Sequence, residues 1–189
     1  EYSICVGDVG FNYYWLKDLD PEKHRIVGGN HDNYHNLSPH FLGDFGVHTV
    51  PGFGNLFYVR GAWSIDHKYR TPGRDWFPEE ELSNAQMEAA LKAYMEIKPD
   101  FVVTHDCPRS IIDLMGLRPL GPDFDLGPQR TPRLLDMMWN FHKPKTWIYG
   151  HFHKEWKEHV TGTDFHCPHL LSVGEYGGNR QVGGRGQLG

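Results

Sequence analysis

The chain has 189 residues, 39% hydrophobic and 23% charged, which is ordinary for a soluble globular protein and of single-domain size. A net charge of −5 argues against a general binder of nucleic acid or membrane surface, and no apolar run reaches transmembrane length. Three cysteines, odd in number and without a CxxC pattern, argue against a disulfide framework and favour a reducing compartment, so a cytoplasmic location is expected.

Taken in order, the chain alternates strands and helices. Ser3-Ile4-Cys5-Val6 is a short apolar strand that runs into Gly7-Asp8. His24-Arg25-Ile26-Val27 is a second, ending in Gly28-Gly29-Asn30. Two more strands, at residues 47–50 and 56–60, flank the turn signal Pro51-Gly52-Phe53-Gly54-Asn55. Pro78-Glu79-Glu80-Glu81 reads as the opening turn of a helix that carries Leu82, Met87, Ala90, Leu91 and Tyr94 on one face until Lys98-Pro99 stops it. Phe101-Val102-Val103-Thr104 is a strand, residues 133–142 an amphipathic helix and residues 145–149 a further strand. Residues 156–160, 164–167 and 170–173 read as closing strands. The expected organisation is one α/β domain over residues 1–176. A mobile Gly-rich tail is expected over residues 177–189. The tail matches GxGxxG at Gly184-Arg185-Gly186-Gln187-Leu188-Gly189, but no helix follows, so a dinucleotide fingerprint is not expected.

Four segments share one vocabulary: Gly7-Asp8, Gly29-Asn30-His31-Asp32, Thr104-His105-Asp106 and Gly150-His151-Phe152-His153. Asp, Asn and His are oxygen and imidazole ligands for divalent cations. Each segment alone has a plain reading: Gly-Asp is a turn, and a strand-end His is a satisfied polar group. Their joint appearance at several strand ends points to one metal site. A carboxylate can bridge two cations, and amide and imidazole groups can complete their shells. Such a pair clamps a phosphoryl group and lowers the pKa of water. A protonated His beside the leaving oxygen would act as general acid. Asp8, Asn30, His105, His151 and His153 suit the ligand roles, and His31 suits the acid. Asp32 follows His31 and is expected to position its imidazole and favour its charged form.

In that order, GD (7–8), GNHD (29–32), TH (104–105) and GHFH (150–153) resemble the calcineurin-like metallophosphoesterase superfamily over most of the chain. The resemblance implies two β-sheets packed as a sandwich and flanked by helices, with a dinuclear centre at the strand ends. It implies Asp8 as the bridging ligand, with Asn30, His105 and His151 completing one shell. His153 would stand on the other metal and His31 near the leaving group. Manganese or iron is the implied metal, with zinc or nickel as further options.

Two departures stand against the pattern. The family's Asp-x-His motif upstream of Gly-Asp has no counterpart among the six residues before Gly7. As the chain opens at Glu1, just before a strand, the expectation is a truncated fold that lacks its first strand and helix. A natural one-metal variant and a permuted chain using Asp164-Phe165-His166 are the alternatives. Second, Gly7-Asp8-Val9-Gly10-Phe11 lacks the Arg that protein phosphatases carry after Gly-Asp. For the substrate, the loop at residues 60–76 holds Arg60, Lys68, Arg70 and Arg74 among Trp63, Tyr69 and Trp76, with Arg109 and Arg130 further along. Guanidinium matches phosphate geometry. Arg60, Arg74 and Arg109 are therefore the expected substrate contacts.

The expected function is a metal-dependent phosphoester hydrolase, phosphatase or phosphodiesterase, with one or two metals and a phosphorylated substrate. Nucleic acid would enter only as a nucleotide or phosphodiester substrate. The alternative is a catalytically impaired metal-binding or phospho-ligand-binding relative with an incomplete second metal site.

Overall fold

A computed structural model describes residues 1–117, 127–170 and 172–176. The Gly-rich tail and its GxGxxG match lie outside the described residues. The fold is mixed α/β, with a two-stranded sheet, a six-stranded sheet and helices. Strands β1 (Ser3–Cys5) and β2 (His24–Ile26) pair in parallel. The larger sheet is built from β3 (Phe45–Val50), β4 (Gly54–Val59), β5 (Phe101–Thr104), β6 (Thr146–Tyr149), β7 (Trp156–Val160) and β8 (Thr163–Cys167). Its order is β3-β4-β5-β6-β8-β7, with β4, β5, β6 and β8 parallel and an antiparallel strand at each edge. Among the described residues no helix is long and apolar enough to cross a membrane.

Period-2 alternation sorts the side chains of this sheet into two cores. Phe57 and Val59 of β4, Val102 of β5, Trp147 and Tyr149 of β6 and Phe165 of β8 face one way. They pack with Ala90 and Tyr94 of helix α1 (Asn84–Ile97), Ile111 of α2 (Arg109–Leu114), and Leu134, Leu135 and Met138 of α3 (Arg130–Phe141). Leu56, Tyr58 and Val103 face the other way and meet Ile4 of the two-stranded sheet and Val6 and Val27 just beyond its strands. The two sheets thus share a core, as a sandwich requires. The α-helices pack into the first core, whereas Leu16, Ile26 and Leu37 bury the 3-10 turns Tyr14–Asp18 and Tyr34–Leu37 against β2.

Three expectations are corrected. Helix α1 starts later than Pro78: residues Pro78–Glu80 form a 3-10 turn, and Ser83 caps the helix in a capping box with Gln86. The short α2, after Pro108, was not anticipated. Of residues 170–173, position 171 is not described; Leu170 is in a turn, and Ser172 and Val173 are not strand. Both edges of β8 are already taken, by β6 and β7, so no free edge is left beside it for the following segment.

Candidate metal centre

The C-terminal ends of β1, β2, β5 and β6 converge, and the motif residues lie just beyond them. Glycine makes the approach possible. A Cβ on Gly29 would collide with the Asp8 carboxylate, and one on Gly7 with the His105 ring and the Gly29 backbone. Gly7 and Asp8 both have positive φ, 99° and 56°, which turns the chain sharply after β1 and aims the Asp8 carboxylate back over the strand ends. His151 also lies in the left-handed region, at φ 68°.

One ligand atom each from Asp8, His105 and His151 lies within 4.8 Å of the others. His105, fully buried, directs Nδ1 at the Val6 carbonyl at 2.6 Å. That hydrogen bond fixes the ring and leaves Nε2 facing the Asn30 Oδ1 at 3.0 Å and the Asp8 Oδ1 at 3.3 Å. Asn30 is held in turn: its Nδ2 donates to Ser64 Oγ at 2.9 Å, and Ser64 donates to the buried Glu80 carboxylate at 2.5 Å. The Ser64 backbone N–H also reaches Glu80, at 2.9 Å. This relay aims the Asn30 carbonyl oxygen into the site.

Asp32 has a different place from the one expected. Its Oδ2 accepts from the backbone N–H of Asp8 at 2.9 Å and of Gly29 at 2.8 Å, tying the two loops together. It does not hydrogen-bond the His31 ring. His31 instead has its Nε2 3.2 Å from the Asn30 amide nitrogen and 3.3 Å from an Arg70 guanidinium nitrogen. Both neighbours are donors, so Nε2 carries the lone pair. The His31 Nδ1 and the Asp32 Oδ1 are buried without a hydrogen-bond partner.

Burial alone would raise the Asp8 carboxyl, but the His105 imidazole, with His151 and His31 beyond it, holds it well below the usual carboxylate range. The same pairing raises His105 although burial works against its charged form. Burial, reinforced by His105, lowers His151 to about 3, which leaves it a neutral imidazole with a free lone pair. Burial also lowers His31; the Asp8 charge opposes this and the Arg70 charge adds to it. The charged form of His31 is thus not favoured, contrary to the expectation from Asp32. Asp32 itself is pushed up to about 6, mainly by burial.

Neither a protein-family model nor a curated protein matches this chain. Among solved structures, the chain is similar to the phosphopantetheinyl hydrolase of Mycobacterium tuberculosis, with 15% identity over 88% of this chain and 78% of that one, at a TM-score of 0.46. What the chain does is therefore read from the site.

The remaining candidates fall outside the cluster. His153 follows outside regular structure, exposed and at φ 51°, and does not join the group of three. Arg60 is buried rather than facing a substrate: its Nε meets Asp44 at 2.6 Å, its Nη1 the Glu79 carbonyl at 2.7 Å, and its guanidinium stacks 4.2 Å from the Tyr34 ring centre. Arg74 is exposed and pairs with its neighbour Asp75 at 3.0 Å. Arg109 bonds Gln129 and, at 2.9 Å, Asp113 on its own helix. Asp164 of the isolated Asp-x-His pairs with His159 at 2.7 Å on the exposed side of β8. The arginine that does reach the site is Arg70. The sequence offered it as one of several basic residues in its loop, with nothing to separate it from Arg60 and Arg74. Ser64 and Glu80 carried no sequence signal for their supporting role.

Proposed function

We propose that this chain is a metal-dependent phosphoester hydrolase. The observation that carries the reading is the convergence of Asp8, His105 and His151, from three separate strand ends, with ligand atoms within 4.8 Å of one another. The donor set fits a divalent cation. His151 is held neutral, Asp8 is held ionised, and His105 has its Nδ1 hydrogen-bonded to a backbone carbonyl so that Nε2 faces inward; the proton that Asp8 favours on His105 would be released when a cation binds. Asn30 Oδ1 stands 3.0 Å from the same Nε2 and is the fourth donor. Mixed oxygen and nitrogen ligands suit manganese or iron, with zinc and nickel also compatible.

A divalent cation bound there would polarise a phosphoryl oxygen and lower the pKa of a nearby water. The chain's own groups supply the rest. Asp32 fixes the Asp8 and Gly29 backbones, so both ligand loops keep one geometry. Glu80 and Ser64 fix the Asn30 amide. His31 presents Nε2 to the site as a lone pair. It has to gain a proton there before it can pass one to the leaving alkoxide as general acid. The substrate is a phosphate ester, monoester or diester, and the setting is cytoplasmic.

The test is metal content of the purified chain together with manganese-stimulated hydrolysis of aryl phosphate monoester and diester substrates. Bound metal with turnover of either substrate is the expected result; no metal and no turnover would end the proposal. His31→Ala should cut turnover while metal content holds, and loss of metal as well would show that its role is misassigned. One observation favours a second reading: His153 is exposed and outside the cluster. A chain with one firm metal position would bind phosphorylated ligands without turning them over. One equivalent of metal with no hydrolysis would select that reading.

A further inference from the structure

The loop between β4 and the Pro78–Glu80 turn reaches the site twice, through Ser64 and through Arg70. Arg70 is anchored from behind. Its Nε and Nη2 donate side-on to the two oxygens of Asp66 at 2.8 and 2.7 Å. The 3-10 turn His67–Tyr69 sets the four-residue spacing that lets this pair close. With only 23% of its side chain exposed, the guanidinium is held in place rather than free in solvent. Its forward contacts are poor by comparison: Nη2 lies 3.3 Å from the His31 Nε2, and Nη1 lies 3.4 Å from the Asp75 carbonyl. Nη1 carries two hydrogens, and this long contact can use only one of them.

We propose that Arg70, oriented by Asp66, is the anchor for a phosphoryl oxygen of the substrate in this site. The proposal rests on the phosphoester hydrolase reading above. A guanidinium nitrogen facing an imidazole lone pair at 3.3 Å gains little, whereas the same N–H facing a phosphoryl oxyanion makes a short, charge-assisted hydrogen bond. Exchange of His31 for a phosphoryl oxygen would replace a long contact with a short, charge-assisted one. It also frees the His31 Nε2 on the side of the substrate. Asp66 cancels the net charge of Arg70, so what the arginine supplies is direction: its donors face His31 and, through it, the cluster of Asp8, His105 and His151. A phosphoryl group between that cluster and Arg70 would be held from two sides, which is how positioned donors stabilise transferring phosphoryl groups. Arg70 is a substrate-contacting residue on this reading, and Asp66 is a positioning residue.

The experiment is calorimetric titration of the full chain, first with Mn2+ and then, in excess Mn2+, with inorganic phosphate. It compares wild type with Arg70→Gln, Arg70→Lys, Asp66→Asn and the exposed control Arg74→Gln. The expected result is Mn2+ affinity unchanged in all variants. Phosphate affinity should fall by about tenfold or more in Arg70→Gln, fall less in Arg70→Lys and Asp66→Asn, and hold in Arg74→Gln. Steady-state kinetics should show the same order in KM. Phosphate affinity in Arg70→Gln equal to wild type overturns the proposal. So does a parallel loss of Mn2+ affinity, which would make Arg70 a support of the metal site. Wild type that binds Mn2+ but not phosphate overturns this inference alone; wild type that binds no Mn2+ overturns it together with the function on which it rests.

Discussion

The helix-covered core and the strand-end site handle burial in opposite ways. In the core, Phe57, Leu135, Trp147, Tyr149 and Phe165 are sealed from solvent, and the polar tips among them find simple partners, such as Trp139 Nε1 on Thr163 at 3.0 Å. In the site, Asn30, Asp32, Ser64, Glu80 and His105 are buried just as deeply but are polar throughout, and two atoms there, His31 Nδ1 and Asp32 Oδ1, have no partner. Buried polar groups without full satisfaction cost stability. A fold that keeps them together at one end, beside Asp8 and His151 in left-handed backbone, keeps them for chemistry.

The sharpest way to break this contrast is to cut into the core. Phe165 packs against Trp139, Trp147 and Tyr149, and Phe165→Ala should cost about 3–5 kcal/mol in urea unfolding. The fraction still folded should bind Mn2+ as wild type does. Equal loss of Mn2+ affinity would mean that the two regions are one mechanical unit. Ser64→Ala works the other way. It removes the link between Glu80 and Asn30, and Mn2+ affinity should fall by roughly 10–100-fold, as for groups that orient a ligand. Unfolding free energy should change much less than in Phe165→Ala. Titration that shows unchanged Mn2+ affinity would remove Asn30 from the ligand set.

The same contrast explains what could be read in advance. Strands β1, β2, β5 and β6 were legible because each is a short apolar run that stops at Asp, Asn or His, and the cluster of Asp8, His105 and His151 follows from those stops. Support from elsewhere in the chain was not legible. Ser64 and Glu80 are residues of ordinary type in a loop, and only the folded path brings them under Asn30. Pro78-Glu79-Glu80 reads as a helix start because Pro and acids favour a first turn. Tertiary contact wins instead: Glu80 turns inward to Ser64, and the helix waits for Ser83. Arg60 and Arg70 are alike in sequence, yet one is buried on Asp44 and Tyr34 and the other faces His31.

Asp106 lies where the two regions meet, after His105 and before the buried Cys107, and it gives a pH test. Burial pushes its carboxyl from the ordinary 3.8 up to about 7, against the Cys107 N–H that donates to it at 2.8 Å. The folded pKa is above the unfolded one. The protonated form therefore adds stability that is complete below about 3.8 and is lost as pH rises through about 7. In metal-free protein, Asp106→Asn should flatten the fall in unfolding free energy between about pH 4 and about pH 7, because an amide has no charge to bury. The Asn oxygen can keep the bond from Cys107. An unchanged slope would place the titration elsewhere.

The smallest expected effect is at the start of helix α1. Ser83 caps α1: its Oγ accepts from the Gln86 N–H at 3.3 Å, while the Gln86 side chain returns to the Ser83 N–H at 2.8 Å. The cap belongs to the helix layer, so Ser83→Ala should lower the unfolding free energy by about 1 kcal/mol. Gln86 complicates the result usefully, because its Nε2 also donates to Asp44 at 2.6 Å, and Asp44 is the partner of Arg60. If that chain of contacts carries strain from the helix start toward the ligand loops, Mn2+ affinity will fall with the cap. The Arg60 guanidinium is fixed independently by the Glu79 carbonyl and the Tyr34 ring, so the disturbance should stop there and Mn2+ affinity should hold. Calorimetry on this one variant measures how well the site is insulated from the scaffold that supports it.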